Sequence, residues 1–265
     1  MPLQIAVGAI CFQNVPTLCL LFVETYQEAR RHILDVLPGH GVYEYSVFGV
    51  SGTKIVEFPG YSYFHIFSTM KILLDNGHGI NTPGKRSPDG HFREYAYNRF
   101  LAFRIREQLT ALGLDVQLLV PEREDIPLPE RCKRVNKICK QLGSDQVLLI
   151  SLHVNAAGNG KKWLNARGWC CFTTVGQTKA DALATCLYEA AQAQLPGHRI
   201  RKDTADGDPD LEKDFYILRH TSCPAVLTEN LFMDNRDDVA FLESAEGSQA
   251  IVNLHVEGIR QHLSL

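Results

Sequence analysis

Lys71-Ile72-Leu73-Leu74-Asp75-Asn76-Gly77-His78-Gly79 is a short apolar run that ends in a glycine-flanked histidine. A run of this length, without helical periodicity, reads as a strand. Continuous rather than alternating apolar character places that strand in an α/β sheet covered on both faces. The same design recurs at Gln146-Val147-Leu148-Leu149-Ile150, which leads into Ser151-Leu152-His153-Val154-Asn155-Ala156. Open α/β sheets gather ligands at the carboxyl ends of their strands, so His78 and His153 are candidates for one shared site. Taken singly, a histidine after a strand is usually a hydrogen-bonded loop residue; the combination is what argues for a metal. Glu94, in Arg93-Glu94-Tyr95-Ala96-Tyr97-Asn98, is the candidate third ligand. Two histidines and a carboxylate leave one zinc position open for water, as catalytic zinc requires. A further apolar strand, Thr221-Ser222-Cys223-Pro224-Ala225-Val226-Leu227-Thr228-Glu229-Asn230, ends in a carboxylate with no obvious partner. Glu229 there suits a general base.

These residues resemble the zinc-dependent N-acetylmuramoyl-L-alanine amidases of the type-3 family, which cleave peptidoglycan. The family pattern is a strand leading to Gly-His-Gly, a helix with Glu and then Asn four residues on, Ser-x-His-x-Asn-Ala after a strand, and a late Pro-Ala-Val-Leu-x-Glu strand. Here those elements stand at residues 76–79, at Glu94 with Asn98, at residues 151–156 and at residues 224–229. Arg123-Glu124-Asp125, Arg134 with Asn136, residues 215–219 and residues 230–235 add supporting matches, so the likeness spans residues 70–264. Asn76 stands where the family commonly has Pro, and Asn tolerates the same turn. Cys170 stands where the family often has Glu, which bears on substrate contacts and leaves the ligand set whole.

The resemblance implies an α/β fold, with a mixed, mostly parallel sheet flanked by helices. It implies zinc (Zn2+) held by His78, Glu94 and His153, with Glu229 as the catalytic base. The bond cleaved would be the amide between N-acetylmuramic acid and the L-alanine of the stem peptide, with peptidoglycan as partner. Asn98 and Asn155 are candidates for orienting the ligands. His91 and His220 compete for the metal role and match no family ligand. Cys223 as a nucleophile would need an electropositive setting at a helix start, which the sequence does not supply. Two other classes remain open: a non-catalytic wall-binding relative, and a different metallohydrolase on the same scaffold.

The whole chain bounds these readings. Its 265 residues suffice for one good core plus an appendage. A hydrophobic fraction of 45% with 22% charged residues is ordinary for a globular protein. A formal net charge of -3 argues against a nucleic-acid partner held by a basic surface, and nothing electrostatic points to stable membrane association. None of the eight cysteines forms a Cys-x-x-Cys pair, so they read as small buried hydrophobes of a reducing compartment. Residues 2–23 lack charge, yet no basic residue precedes the stretch, and Gln13, Asn14 and Pro16 interrupt it. It reads as neither a convincing signal peptide nor a membrane span. The expectation is a protein made in the cytoplasm that acts at the cell wall or periplasm, in the manner of a phage lysin.

Residues 1–69 fall outside the family pattern and read as a small α+β appendage, with residues 70–265 as the catalytic domain and Met70 as an alternative start. Residues 3–12 suggest a strand and residues 25–37 an amphipathic helix. Residues 42–50 and 54–58 read as a hairpin joined by Ser51-Gly52-Thr53. Tyr43, Tyr45, Tyr61, Tyr63 and Phe64 are candidates for core packing or for a sugar platform. In the second part helices are expected over 92–112, with Tyr95, Ala96, Phe103, Leu109 and Leu112 as its apolar positions, and over 128–142. A capping box at Thr178 to Asp181 opens another helix, running to Leu195, and a final helix covers 246–263. Strands are expected over 115–120 and 168–174. Residues 196–211 read as a solvated loop that in the family borders the substrate groove; calcium binding there is discounted.

Overall fold

The computed structural model describes residues 70–265 except Asp206, together with four short strands among residues 1–69. Backbone contacts divide the chain into two units, residues 1–69 and 70–265. Within the first unit, Ala9–Ile10 pairs antiparallel with Cys19–Leu20, and Lys54–Val56 with Phe64–Ile66. Lys54–Val56 therefore finds a partner on its C-terminal side. The expected helix at 25–37, the strand at 42–50 and the tyrosines lie outside the described residues.

The second unit alternates strand and helix. In chain order it comprises β1 (Lys71–Asn76), α1 (Glu94–Ala111), β2 (Asp115–Leu118), α2 (Leu128–Leu142), β3 (Val147–Asn155) and β4 (Cys170–Thr173). There follow α3 (Asp181–Gln194), β5 (Leu211–Glu212), α4 (Tyr216–Arg219), β6 (Ala225–Phe232), α5 (Arg236–Glu243) and α6 (Ala245–His262). The strands form one six-stranded sheet in the order β2-β1-β3-β6-β4-β5. Every pairing is parallel except β6 with β4, which is antiparallel.

The unbroken apolar runs are explained by burial on both faces. Ile72, Leu74, Leu148, Ile150, Leu152 and Val226 pack under α1, α3 and α6, while Leu73, Val147, Leu149 and Leu227 pack against α2 and α4. Alternate side chains of a strand point to opposite faces, so both sets are apolar. Each such side chain contributes about 1.5–3 kcal/mol relative to exposure. Among the described residues no helix is long and apolar enough to cross a membrane.

The register of α1 differs from the expected one. Its buried face is Glu94, Tyr97, Asn98, Leu101, Ala102, Ile105 and Leu109, whereas Ala96, Phe103 and Leu112 face solvent. The buried set follows the i, i+3, i+4 stripe, and the stripe begins with the carboxylate. Helix α2 spans residues 128–142 as expected, stopped by Gly143 at φ 95°. The box at α3 is half formed: the Asp181 carboxylate accepts from the Thr178 backbone N–H at 2.6 Å, while the Thr178 hydroxyl turns to Asp181 and the Ala180 N–H. The final helix matches its expected span, and a short helix not expected from the sequence, α5, precedes it. Asn235 caps α5 and Ser244 caps α6, each side chain accepting from backbone N–H groups of its helix's first turn.

Candidate active site

The site is built at the carboxyl ends of β1, β3 and β6. Immediately after β1 the chain turns through Gly77 and His78, the latter in the left-handed region at φ 64°. Two close approaches make the flanking glycines necessary. A Cβ on Gly77 would lie 2.3 Å from Cε1 of His153, and one on Gly79 would lie 2.0 Å from the Asp125 nitrogen. The turn is held from outside by side chains. Arg131 donates to the Asn76 carbonyl at 3.1 Å, Asn98 to the Gly77 carbonyl at 3.3 Å, and Arg99 to the His78 carbonyl at 2.9 Å. Arg131 is itself buried and is paired with Asp75 at 2.6 Å and Asp125 at 2.8 Å. Ser151 donates to the other oxygen of Asp75 at 2.6 Å, so these buried charges are satisfied as burial demands.

His78, Glu94 and His153 each bring a potential ligand atom to one point, all within 4.8 Å of one another. Glu94 Oε1 lies 3.1 Å from His153 Nδ1 and accepts from the Val154 N–H at 3.0 Å. It lies 3.4 Å from His78 Nε2, without hydrogen-bond geometry. The two imidazoles meet edge to face, ring centroids 4.8 Å apart. Burial alone would raise the Glu94 pKa, but His153 and His78 hold it well below the usual carboxylate range. Burial pushes His78 down; at His153 burial is outweighed by Glu94, which leaves its pKa raised. An ionised carboxylate between two imidazoles is a ready donor set for a zinc-like dication. His78 Nε2 and Glu94 Oε2 are buried and have no hydrogen-bond partner among the described residues, which fits atoms reserved for an ion.

Glu229 stands in register with His153 across the parallel β3–β6 pair, and opposite Cys170 on its other side. Burial raises its pKa to about 7, and its Oε2 is likewise unpartnered among the described residues. Immediately beyond it the β3–β6 register shifts, and Leu231 takes a left-handed φ of 66°. His78, His153 and Glu229 line a common cavity of about 430 Å³, with Lys85, Arg131 and Tyr216 also in its wall.

The competing residues lie elsewhere. His91 is exposed and pairs with Glu243, and His220 stacks on Tyr216. Cys223 is buried, with its thiol pushed up by burial, and lacks the electropositive setting of a nucleophile. Cys170 has the Arg201 guanidinium 3.9 Å from its Sγ, yet burial and Glu229 outweigh it and push the thiol up to about 12. Asn98 supports the His78 turn, whereas among the described residues the Asn155 side chain accepts only from its neighbour Ala156. Residues 199–201 of the expected solvated loop are tied to the sheet edge, where Arg199 and Arg201 exchange backbone hydrogen bonds with Trp169, although Arg199 stays exposed.

Asn230 went unassigned in the sequence. Its amide donates to the His153 carbonyl at 3.0 Å and accepts from Trp169 Nε1 at 2.9 Å. A polar residue beside the base in an apolar strand was its only signal. Arg131 shows the same kind of signal, a charge within the apolar stripe of Cys132, Val135 and Cys139.

A family profile described as N-acetylmuramoyl-L-alanine amidase matches residues 72–261. Over 196 residues the chain is 34% identical to the endolysin of Bacillus phage SPP1, covering 73% of this chain and 66% of that one. It is 28% identical over 200 residues to the sporulation-specific N-acetylmuramoyl-L-alanine amidase of Bacillus subtilis, covering 74% and 69%. Among solved structures, an N-acetylmuramoyl-L-alanine amidase from Clostridium difficile 630 shares the fold at a TM-score of 0.64 and 21% identity, over 74% of this chain and 97% of that one. The catalytic domain of the CD27L endolysin matches at a TM-score of 0.56 and 27% identity, over 72% and 97%.

Proposed function

This chain belongs to the N-acetylmuramoyl-L-alanine amidase family, and we propose that it is a zinc-dependent hydrolase of peptidoglycan. The bond cleaved is the amide between N-acetylmuramic acid and the L-alanine of the stem peptide. The observation that carries this reading is the convergence of His78, Glu94 and His153 within 4.8 Å, beside a cavity that Glu229 also lines.

His78, Glu94 and His153 would hold the ion, which when bound would supply a lowered pKa for water, toward about 7, and polarisation of the amide carbonyl. Glu229 takes the proton of the attacking water at its unpartnered carboxylate and passes it to the departing nitrogen. Its burial matters here, because a carboxyl poised near neutrality exchanges a proton in both directions. The Arg99, Arg131 and Asn98 contacts keep the strained His78 turn in place.

Residues 70–265 form the catalytic domain in this reading, and residues 1–69 are a separate segment. The protein acts where its substrate lies, at the cell wall or in the periplasm, in the manner of a lysin. No nucleic acid or stable membrane contact is assigned to it. The test is product analysis of purified walls digested by the zinc-loaded protein. New L-alanine amino termini without new reducing sugars support the amidase; reducing sugars alone would mean a glycosidase, and saturable binding without product a wall-binding relative. A chain of residues 70–265 is expected to fold and retain this activity, measured by circular dichroism and wall clearing; an unfolded product overturns the domain boundary.

A further inference from the structure

The cavity beside the cluster has two cations in its wall besides the histidines, Lys85 and Arg131. Arg131 is committed, buried between Asp75 and Asp125. Lys85 is not. Its side chain is 43% exposed, and its ammonium makes no hydrogen bond among the described residues. The nearest carboxylate oxygen, Glu94 Oε2, is 4.0 Å away, at the limit of an ion pair.

The backbone at Lys85 is constrained to present this side chain. Gly84 and Lys85 are both left-handed, at φ 71° and 48°, a conformation that costs a non-glycine residue energy. The Lys85 carbonyl accepts the Glu94 N–H at 3.0 Å, and a bridge between Arg86 and Arg93 closes the small hairpin leading into α1. The same segment that delivers Glu94 to the cluster thus holds an uncommitted cation at the cavity wall. An ammonium is a compact, flexible point charge, suited to a carboxylate that arrives with a ligand.

The geometry points to Lys85 as a specificity residue that binds a carboxylate of the substrate's stem peptide. This rests on the amidase reading above and adds to it a preference for an acidic peptide over its amidated form. Lys85 takes no part in proton transfer, which belongs to Glu229.

The test uses the full chain and two probes that differ in one group. These are N-acetylmuramoyl-L-alanyl-γ-D-glutamyl-L-lysinamide with the glutamate α-carboxylate free, and the same compound with that group as carboxamide. Zinc-loaded wild type is expected to show a KM about tenfold lower for the carboxylate, the size of one charge-assisted hydrogen bond. Lys85→Met should raise KM for the carboxylate alone and erase the difference, with kcat unchanged, and Lys85→Arg should restore part of it. In parallel, calorimetric Kd values for both probes are measured on Glu229→Gln with and without Lys85→Met, a readout independent of turnover. A wild type that hydrolyses both equally, or a Lys85→Met that loses kcat on both alike, overturns the assignment to Lys85. Discriminating binding without any hydrolysis by wild type would instead overturn the amidase reading and leave Lys85 as a carboxylate site.

Discussion

The side-chain amide of Asn230 donates to the backbone carbonyl of His153 at 3.0 Å, tying the strand of the proposed base to the strand of a proposed ligand. Asn230 is one residue beyond Glu229 and faces away from the cavity. It also accepts from Trp169 Nε1 and donates to Thr228 Oγ1, which meets His255 Nε2 at 3.0 Å. The proposed catalytic face of the sheet is therefore braced from its opposite face by a buried polar chain. Such chains are strong when fully paired and costly when broken.

Asn230→Leu keeps the branched shape and removes all three hydrogen bonds. It is expected to lower stability by about 1–3 kcal/mol, the usual cost of orphaning buried polar groups. Urea denaturation measures this; an unchanged midpoint would show that the chain is not a brace.

The ligand and base roles separate by metal content. His78→Ala and His153→Ala should each lose zinc on mild chelation, and Glu94→Gln should weaken both metal binding and rate. Glu229→Gln should keep about one zinc per chain and lose about a hundredfold or more in turnover. Elemental analysis beside a muramyl-peptide assay reads both quantities. A zinc-free Glu229→Gln would make Glu229 a ligand, and a fully active one would require another base.

Gly77→Ala places a methyl 2.3 Å from the His153 ring. Displacing that ring is expected to cost about 1–3 kcal/mol of stability, as overpacking does, and to weaken zinc binding. Zinc affinity equal to wild type would show that the ring position is unimportant to the site.

His255 supplies a pH dependence of stability. It is fully buried, with Nδ1 2.8 Å from the Ile251 carbonyl, and burial lowers its pKa from 6.5 to about 4. The unfolded chain takes up a proton near pH 6.5 and the folded one only near pH 4. Its contribution is therefore complete above pH 6.5 and lost as pH falls toward 4. Between pH 7 and 5 this histidine alone should cost about 2 kcal/mol. Urea melts of wild type and His255→Gln across this range check it, since the variant should show a shallower pH slope; equal slopes would place the effect elsewhere.

What the sequence determined by itself was local. The runs at 71–75 and 146–150 announce strands because both their faces are apolar, and α2 matches its expected ends because Gly143 can adopt the left-handed turn that stops it. The four candidate site residues drew attention because His78 follows β1, Glu94 opens α1, and His153 and Glu229 lie near the carboxyl ends of β3 and β6, and family resemblance joined them. The buried face of α1 was misread, since the eighteen-residue helix carries aromatic residues on both sides and only packing against the sheet and α6 chooses between them. Helix α5 went unassigned because its eight residues make only about two turns, too short for a clear apolar stripe, whereas α6 was read at its observed span. Tertiary structure alone decided the antiparallel β4, the brace through Asn230, and the pairing of Asp75 with Ser151 and Arg131. Those partners lie 76 and 56 residues apart, so no spacing along the chain encodes them. They become partners only when the parallel sheet sets β1 beside β3 and α2 packs across both, which removes water from the charges and obliges them to satisfy one another.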